Sequence, residues 1–356
     1  MLEQKIKEIL VEAVEAPSGD NSQPWRFRIK NDVLFIKCTA SNDNEAYNYQ
    51  KRGSLVAVGA LLENIRIISS YKGYGCNLFY FPDKCSDIVA KVEFTKSEKK
   101  LDENYESIKN RFTDRRPYLK NSVQDSVINT LKSFSDKKVF VKVVSQSTKV
   151  NEIAKLLSYN EMLILENKFI RSSLLSSIVW KERVHKEKRK GLYIRTLALE
   201  KEKEFVFRLL LNFDGLARLA KILGLTKLIS KDSAGLYSET DSYILLSTTK
   251  NVKKQKLYLD VGILLQRIWL HLTSKQLSLQ PVAALIYLRH RINENRRSVD
   301  FLSRAQSEKV LSIYDSIKGI FNLEDEEEIL MLSRIGKSVN DTDSISRSYK
   351  SEPTYY

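Results

Sequence analysis

The chain is poor in residues that staple, break or loosen a fold. Its 356 residues include only 3 Cys, 3 His, 6 Pro and 12 Gly. Cys38, Cys76 and Cys85 are an odd number with no CxxC pair, which speaks against a disulfide framework and against a zinc site. They read as ordinary buried thiols of a reducing, cytoplasmic compartment. So few Pro and Gly leave little scope for long flexible or Pro-rich linkers. No run reaches the roughly 18 apolar residues that span a bilayer, so no membrane partner is expected. Residues 1–15 are amphipathic and carry four Glu, unlike the basic start and unbroken apolar core of a signal peptide. His185, His271 and His290 show neither metal-ligand spacing nor a partner motif, so neither a metal site nor a catalytic histidine is expected.

What is present is an ordinary globular composition, 42% hydrophobic and 29% charged, which excludes wholesale disorder. The length allows about two to three domains of roughly 150 residues, or one large unit. The unusual number is the charge: 59 Lys+Arg against 44 Asp+Glu give +15. That excess suggests an anionic partner, which could be nucleic acid, a membrane surface or a phosphorylated ligand. No aromatic-basic motif or nucleic-acid module accompanies it, so nucleic acid ranks last.

Along the chain, residues 4–15 place Ile6, Ile9, Leu10 and Val14 on one helical face. Residues 25–30 and 33–37 read as strands joined by a turn at Asn31-Asp32. Residues 55–70 predict an apolar helix; 77–81 and 88–94 predict strands. A helix at 123–134 and a strand at 139–144 follow. Residues 151–232 read as mostly helical and contain the basic run KERVHKEKRK at 181–190, six of whose ten residues are Lys or Arg. Its bland reading is a solvated helix face. Residues 243–248 predict a central strand and 259–277 a second apolar helix, and 323–332 with its tail a charged turn and strand. This mixture predicts an α+β fold with a central, mostly antiparallel sheet flanked by helices. One pattern recurs: Val58-Gly59-x-Leu61-Leu62-x-x-Ile65 returns 203 positions later as Val261-Gly262-x-Leu264-Leu265-x-x-Ile268. It reads either as two unrelated buried helices or as an internal duplication.

Two segments carry candidate chemistry. APSGDNSQPWRF, residues 16–27, is a helix end, a polar loop and a strand entered through Pro-Trp. Ser18, Asn21 and Gln23 there offer short donors and acceptors suited to a polar ligand, or simply cap a turn. RFTDRRPY, residues 111–118, concentrates Arg and Thr donors suited to a phosphate or an anionic ring.

The first segment resembles the APSxxNxQPWxF loop of the nitroreductase family of FMN-dependent oxidoreductases, and the second resembles that family's RxSxR motif with Thr for Ser. Residues 50–69 further resemble the long, fused members of the family, among them dormancy-associated flavoproteins thought to hold FMN under a lid. The resemblance implies a nitroreductase-like fold and FMN as cofactor. Pro17, Ser18, Asn21 and Gln23 would contact it from the first loop. Arg111 and Thr113 would reach its phosphate and ribityl chain, with Arg115 near the N1–C2=O edge of the ring. Pro281, Val282, Ala283 and Ala284 resemble the family segment whose backbone N–H meets flavin N5, and Ala284 is the matching donor. Ala283 and Ala284 stand where many members have Glu and Gly, and Ala resists the positive φ that Gly adopts. Arg347 resembles a C-terminal phosphate-binding residue, or is a solvated tail arginine.

The order of the motifs is reversed. RxTxR follows the PSxxNxQPW loop by about 90 residues, whereas in the family it precedes that loop. Duplication accounts for this: residues 1–100 keep the loop and residues 101–356 keep RxTxR, with a helical, lid-like insertion at about 165–232. Family members are dimers whose sites draw on both subunits, so one fused chain with one surviving copy of each half-site implies a monomeric pseudo-dimer holding one FMN. Residues 180–194 are the candidate lid or substrate-entry element. The implied activity is NAD(P)H-driven, ping-pong hydride transfer to a small electron-poor acceptor such as a nitro compound, quinone or enone. The alternatives are an FMN-storage protein with little turnover, or a biosynthetic flavin dehydrogenase or oxidase.

Overall fold

In the computed structural model the described residues are 2–39, 43–83, 87–339 and 347–356. The chain is α+β, and two antiparallel sheets each build from two strands, a long helix and two more strands. Helix α1 (Leu2–Ala13) turns Ile6, Ile9 and Leu10 into the core. Strands β1 (Trp25–Lys30) and β2 (Val33–Cys38) form a hairpin in register Lys30 to Val33. Asn31 (φ 52°) and Asp32 (φ 60°) both take left-handed backbone, the twist-matched form of a two-residue hairpin turn. Helix α2 (Arg52–Tyr71) follows, then β3 (Tyr74–Tyr80) and β4 (Ile88–Lys96), giving the sheet order β1-β2-β4-β3.

The second unit opens with the short helix α3 (Ser107–Asn110), strand β5 (Tyr118–Leu119) and helix α4 (Asp125–Ser133). Its sheet contains β6 (Phe140–Val144), β9 (Ser242–Thr248), β10 (Ser278–Pro281) and β11 (Glu328–Ser338), with β5 attached to the end of β11. Read from β6, the order is β6-β9-β11-β10, all antiparallel. This is the order of the first sheet, element for element, with α12 (Gln255–Ser274) in the place of α2. Between β6 and β9 lie α5 (Ser147–Leu157), α6 (Tyr159–Glu166), α7 (Lys168–Ser177), α8 (Glu182–Lys188), α9 (Lys201–Asn212), α10 (Asp214–Ile222) and α11 (Leu225–Ser238). Two short parallel strands, β7 (Ile178–Val179) and β8 (Leu192–Tyr193), bracket α8. Helices α13 (Ala284–Glu294) and α14 (Arg304–Ile320) separate β10 from β11.

Helices α2 and α12 cross at the centre of a core that reaches both sheets, from Ile36 and Val92 to Ile244 and Leu246. Each has 20 residues, and the start and end of α12 lie 203 positions beyond those of α2. Their contacts are reciprocal under the same offset. A Cβ on Gly59 would overlap the Leu259 carbonyl oxygen, and one on Gly262 would overlap the Val56 carbonyl oxygen. One turn on, Arg267 Nε donates to Glu63 at 3.0 Å and Gln266 Nε2 to Asn64 at 2.7 Å, again a reciprocal pair. Burial pushes Glu63 up, but Arg66 and Arg267 outweigh it and hold the carboxyl below its usual range. Residue i touching j while the counterpart of j touches the counterpart of i is how a two-fold contact behaves.

The segment Tyr49–Tyr71 is long and apolar enough, by length and composition, to cross a bilayer, which the sequence reading does not recognise. Its most apolar 18-residue window is 83% buried inside the protein, as befits a central core helix. Cys38 is buried and Cys76 half-buried, while Cys85 lies outside the described residues. The tail returns to the first sheet: Phe27 N–H donates to Thr354 and Tyr356 N–H to Phe27, each at 2.9 Å, covering the edge of β1.

Candidate functional site

Two adjoining cavities open where the units meet. One, about 90 Å³, is polar and lined by Arg111, Arg347, Lys350 and Lys109 with Glu15. The other, about 290 Å³, is largely apolar and runs along α2 and α12 past Val56, Ala57, Leu265 and Trp269 to Met331. Pro17, Ser18, Asp20, Thr113 and Arg115 line both and form their junction.

The loop after α1 reaches the junction through a costly backbone. Asp20 (φ 48°), Asn21 (φ 54°) and Gln23 (φ 48°) all take left-handed conformations, which only a well-tied loop sustains. Ser18 Oγ accepts the Gln23 N–H at 3.0 Å. Gln23 is buried and does not line either cavity. It donates to the Arg189 carbonyl at 2.6 Å and accepts from Ser351 N–H at 2.9 Å, tying the loop to the α8 region and to the tail. Asn21 lines the polar cavity but spends both ends of its amide, donating to the Tyr349 carbonyl and accepting from Lys350 Nζ, each at 2.9 Å.

In the extended run after α3, Arg111, Phe112, Thr113 and Arg115 line the polar cavity. Asp114 points away, buried and paired with Arg116 at 3.0 Å. Arg111 is 8% exposed; it donates to the Glu15 carbonyl at 2.8 Å and lies 4.6 Å from the centre of the Trp269 ring. Its Nε is buried with no partner among the described residues. Burial lowers Arg111 to about 10; Glu15 opposes the shift and Arg347 adds to it. Arg115 donates to the Thr196 carbonyl at 3.0 Å, and burial lowers it while Asp20 works to raise it.

From the C-terminal tail, Arg347 and Lys350 both line the polar cavity. Arg347 is exposed and stacks on Phe112 at 4.8 Å. Lys350 Nζ donates to the Ala16 carbonyl at 3.0 Å. Burial lowers Lys350 to about 7, with repulsion from Arg111 adding and Glu15 offsetting. Burial and neighbouring cations lower both Arg111 and Lys350, and with Arg347 and Lys109 beside them the cations outnumber the carboxylates of Glu15 and Asp20 in the cavity lining, a balance that suits an anion. The tail also meets the insertion. Tyr349 N–H donates to His185 Nε2 at 3.1 Å, and the His185 ring stacks on Tyr193 at 4.9 Å. His185 is therefore a packed, neutral acceptor, lowered first by burial.

At the apolar end, Pro281, Ala283 and Ala284 line the wall, while Val282 does not; its N–H donates to Leu332 across the sheet. Ala283 sits at φ −100° as the uncapped start of α13, and Ala284 is its first helical residue. Neither needs positive φ, so alanine is accommodated there, and the first N–H groups of α13 lie beside the cavity. Asp43 lines this end, accepting from Asn48 at 2.7 Å and from the Ser54 hydroxyl. It is pushed up to about 7, by burial first, with the like charge of Asp20 adding. Lys350, Asp43, Trp269 and Tyr287 also line the cavities and are absent from the sequence reading. The only sequence signal for Lys350 is its place three residues after Arg347.

No family model matches the chain. The uncharacterized protein MT1398 of Mycobacterium tuberculosis is 23% identical over 313 residues, covering 85% of this chain; the chain spans 42% of that protein's length. Among solved structures, the chain is similar to the FMN-dependent nitroreductase NfnB of Mycobacterium smegmatis in complex with NADPH, at 14% identity and TM-score 0.37, covering 67% of this chain and 88% of that one. An FMN-dependent nitroreductase of Clostridium difficile is similar at 12% identity and TM-score 0.37, covering 70% and 95%. The NADPH:FMN oxidoreductase of Vibrio harveyi complexed with NAD+ is similar at 10% identity and TM-score 0.34, covering 69% and 73%.

Proposed function

We propose that the chain is an FMN-dependent NAD(P)H oxidoreductase with one flavin site between two nitroreductase-like halves. The observation that carries this reading is the pair of adjoining cavities, a cationic end and an apolar end, joined by residues of both sequence motifs. The shared strand order and the reciprocal contacts of α2 and α12 support the duplication. The donor set fits a phosphorylated flavin. Arg111, whose buried Nε lacks a partner among the described residues, would hold the phosphate together with Arg347 and Lys350. Ser18 and Thr113 would line the ribityl chain, Arg115 the ring edge, and Trp269, Leu265 and the start of α13 the ring.

FMN, when bound, would supply hydride transfer from NAD(P)H to an electron-poor acceptor. The protein's part is positional and electrostatic. Arg115 brings positive charge to the junction, where it would stabilise negative charge developing on the ring edge. The apolar walls would shield the ring from water. Burial pushes the Asp43 carboxyl at the apolar end up to about 7, so it is partly protonated near neutral pH.

A storage role is the second reading. Leu192 and Thr196 of the insertion line the cationic cavity, and Arg115 is bonded to the Thr196 carbonyl, so the insertion covers the site. Anaerobic mixing of the yellow protein with NADPH, and separately with NADH, distinguishes the two. We expect at least one to bleach the flavin absorbance, and a quinone, nitro compound or enone then to restore it. If dithionite bleaches the protein but neither nicotinamide does, the storage reading replaces the reductase.

A further inference from the structure

Helix α10 is inside out for a helix packed on a core. Its buried positions are the small Ala217 and Ala220, while the large Leu216, Leu219 and Ile222 face solvent. Ile222 is 80% exposed. The pattern continues on both sides, with Phe213 before the helix and Leu223, Leu225 and Leu228 after it also exposed. A concentration of large exposed apolar side chains on neighbouring helices marks an interaction surface rather than a scattering of surface residues.

The charges in the same stretch have one dominant sign. Arg218, Lys221, Lys227 and Lys231 are exposed. The carboxylate of Asp214 is occupied by Lys168 and Arg171. Lys221 reaches Glu166, and among the described residues Arg218 and Lys227 have no carboxylate partner. An outward apolar face set among cations is the pattern of a segment that lies in the interface of an anionic bilayer.

We propose that the α10–α11 face binds an anionic lipid surface. A second copy of the chain is the other candidate occupant, but a two-fold contact would set the same cations against each other. A lipid surface of opposite sign meets both the apolar and the cationic side chains at once. Sequence reasoning expects no membrane partner because it looks for a spanning segment, whereas a peripheral contact needs none. The inference stands whether or not the cavities hold FMN.

Co-sedimentation of the full chain with vesicles tests it. We expect binding to vesicles containing phosphatidylglycerol and weak binding to pure phosphatidylcholine, with salt reducing the former. Leu219→Ser combined with Ile222→Ser should weaken binding by about tenfold or more, since each removes exposed apolar area that the lipid would bury. Arg218→Gln combined with Lys227→Gln should weaken it selectively on anionic vesicles. These positions are exposed and line neither cavity, so the melting temperature should be unchanged. Equal sedimentation with and without vesicles, or unchanged binding of the Leu219/Ile222 variant, would overturn the proposal. Concentration-dependent dimerisation abolished by that variant would instead assign the face to a second copy.

Discussion

Arg111→Ala is expected to weaken FMN binding by about 10- to 150-fold, the loss of one charge-assisted hydrogen bond worth roughly 1.5–3 kcal/mol. Arg111 is the buried member of the cationic cluster, and its Nε has no partner among the described residues. Its environment already disfavours the charge, because burial and Arg347 both lower it. An arriving phosphate relieves that penalty as well as gaining a bond. Lys350 adds a pH signature. Its proton, held with a value of about 7 in the folded protein against 10.5 ordinarily, is lost as pH rises through 7. The charged ammonium is the form that attracts phosphate, so FMN affinity should fall between pH 7 and 9, and binding in that range should take up a proton. Lys350→Met should flatten this dependence and lower the affinity at pH 6. Fluorescence titration of FMN across pH reads both effects. Unchanged affinity in Arg111→Ala and in Arg115→Ala would show that the RFTDR segment does not hold the cofactor.

Gly59→Ala is expected to destabilise the fold by about 3 kcal/mol or more, at or beyond the upper end of ordinary overpacking. The added Cβ would overlap the Leu259 carbonyl oxygen and sit 2.8 Å from Gly262 Cα, so backbone rather than a flexible side chain must move. Gly262→Ala meets Val56 and Gly59 in the same way and should behave alike. Intrinsic propensity predicts the opposite sign, since Ala is favoured over Gly by about 1 kcal/mol inside a helix. Gly319 in α14 is the control: a Cβ there meets nothing within 4 Å, so Gly319→Ala should be neutral or stabilising. Urea unfolding of the three variants measures the contrast. Comparable stabilities would mean that α2 and α12 do not cross this closely in solution.

Those two glycines also show what the sequence makes legible. Their flanking pattern repeats at a fixed offset because both helices bury the same face, so a linear comparison finds them. The loop at 16–27 and the run at 111–118 were legible for a similar reason: each packs several polar side chains into a short stretch. The roles inside them were less so. Gln23 and Asn21 look like ligands in sequence, yet they hold the tail and the α8 region, through partners more than 160 residues away. Lys350 and Asp43 escape notice because their chemistry comes from burial beside distant charges. The helix α14 carries a local signal, a capping box from Ser303 to Gln306, but its inward Val310, Ile313 and Ile317 are interleaved with charge, and the sequence reading assigns no helix there.

The flavin content of purified protein saturated with FMN tests most directly whether one flavin site lies between two halves of a single chain. Absorbance at the flavin band against protein concentration, with mass measured by light scattering, should give one FMN per chain. Two FMN per chain, or none under saturating FMN, would contradict it.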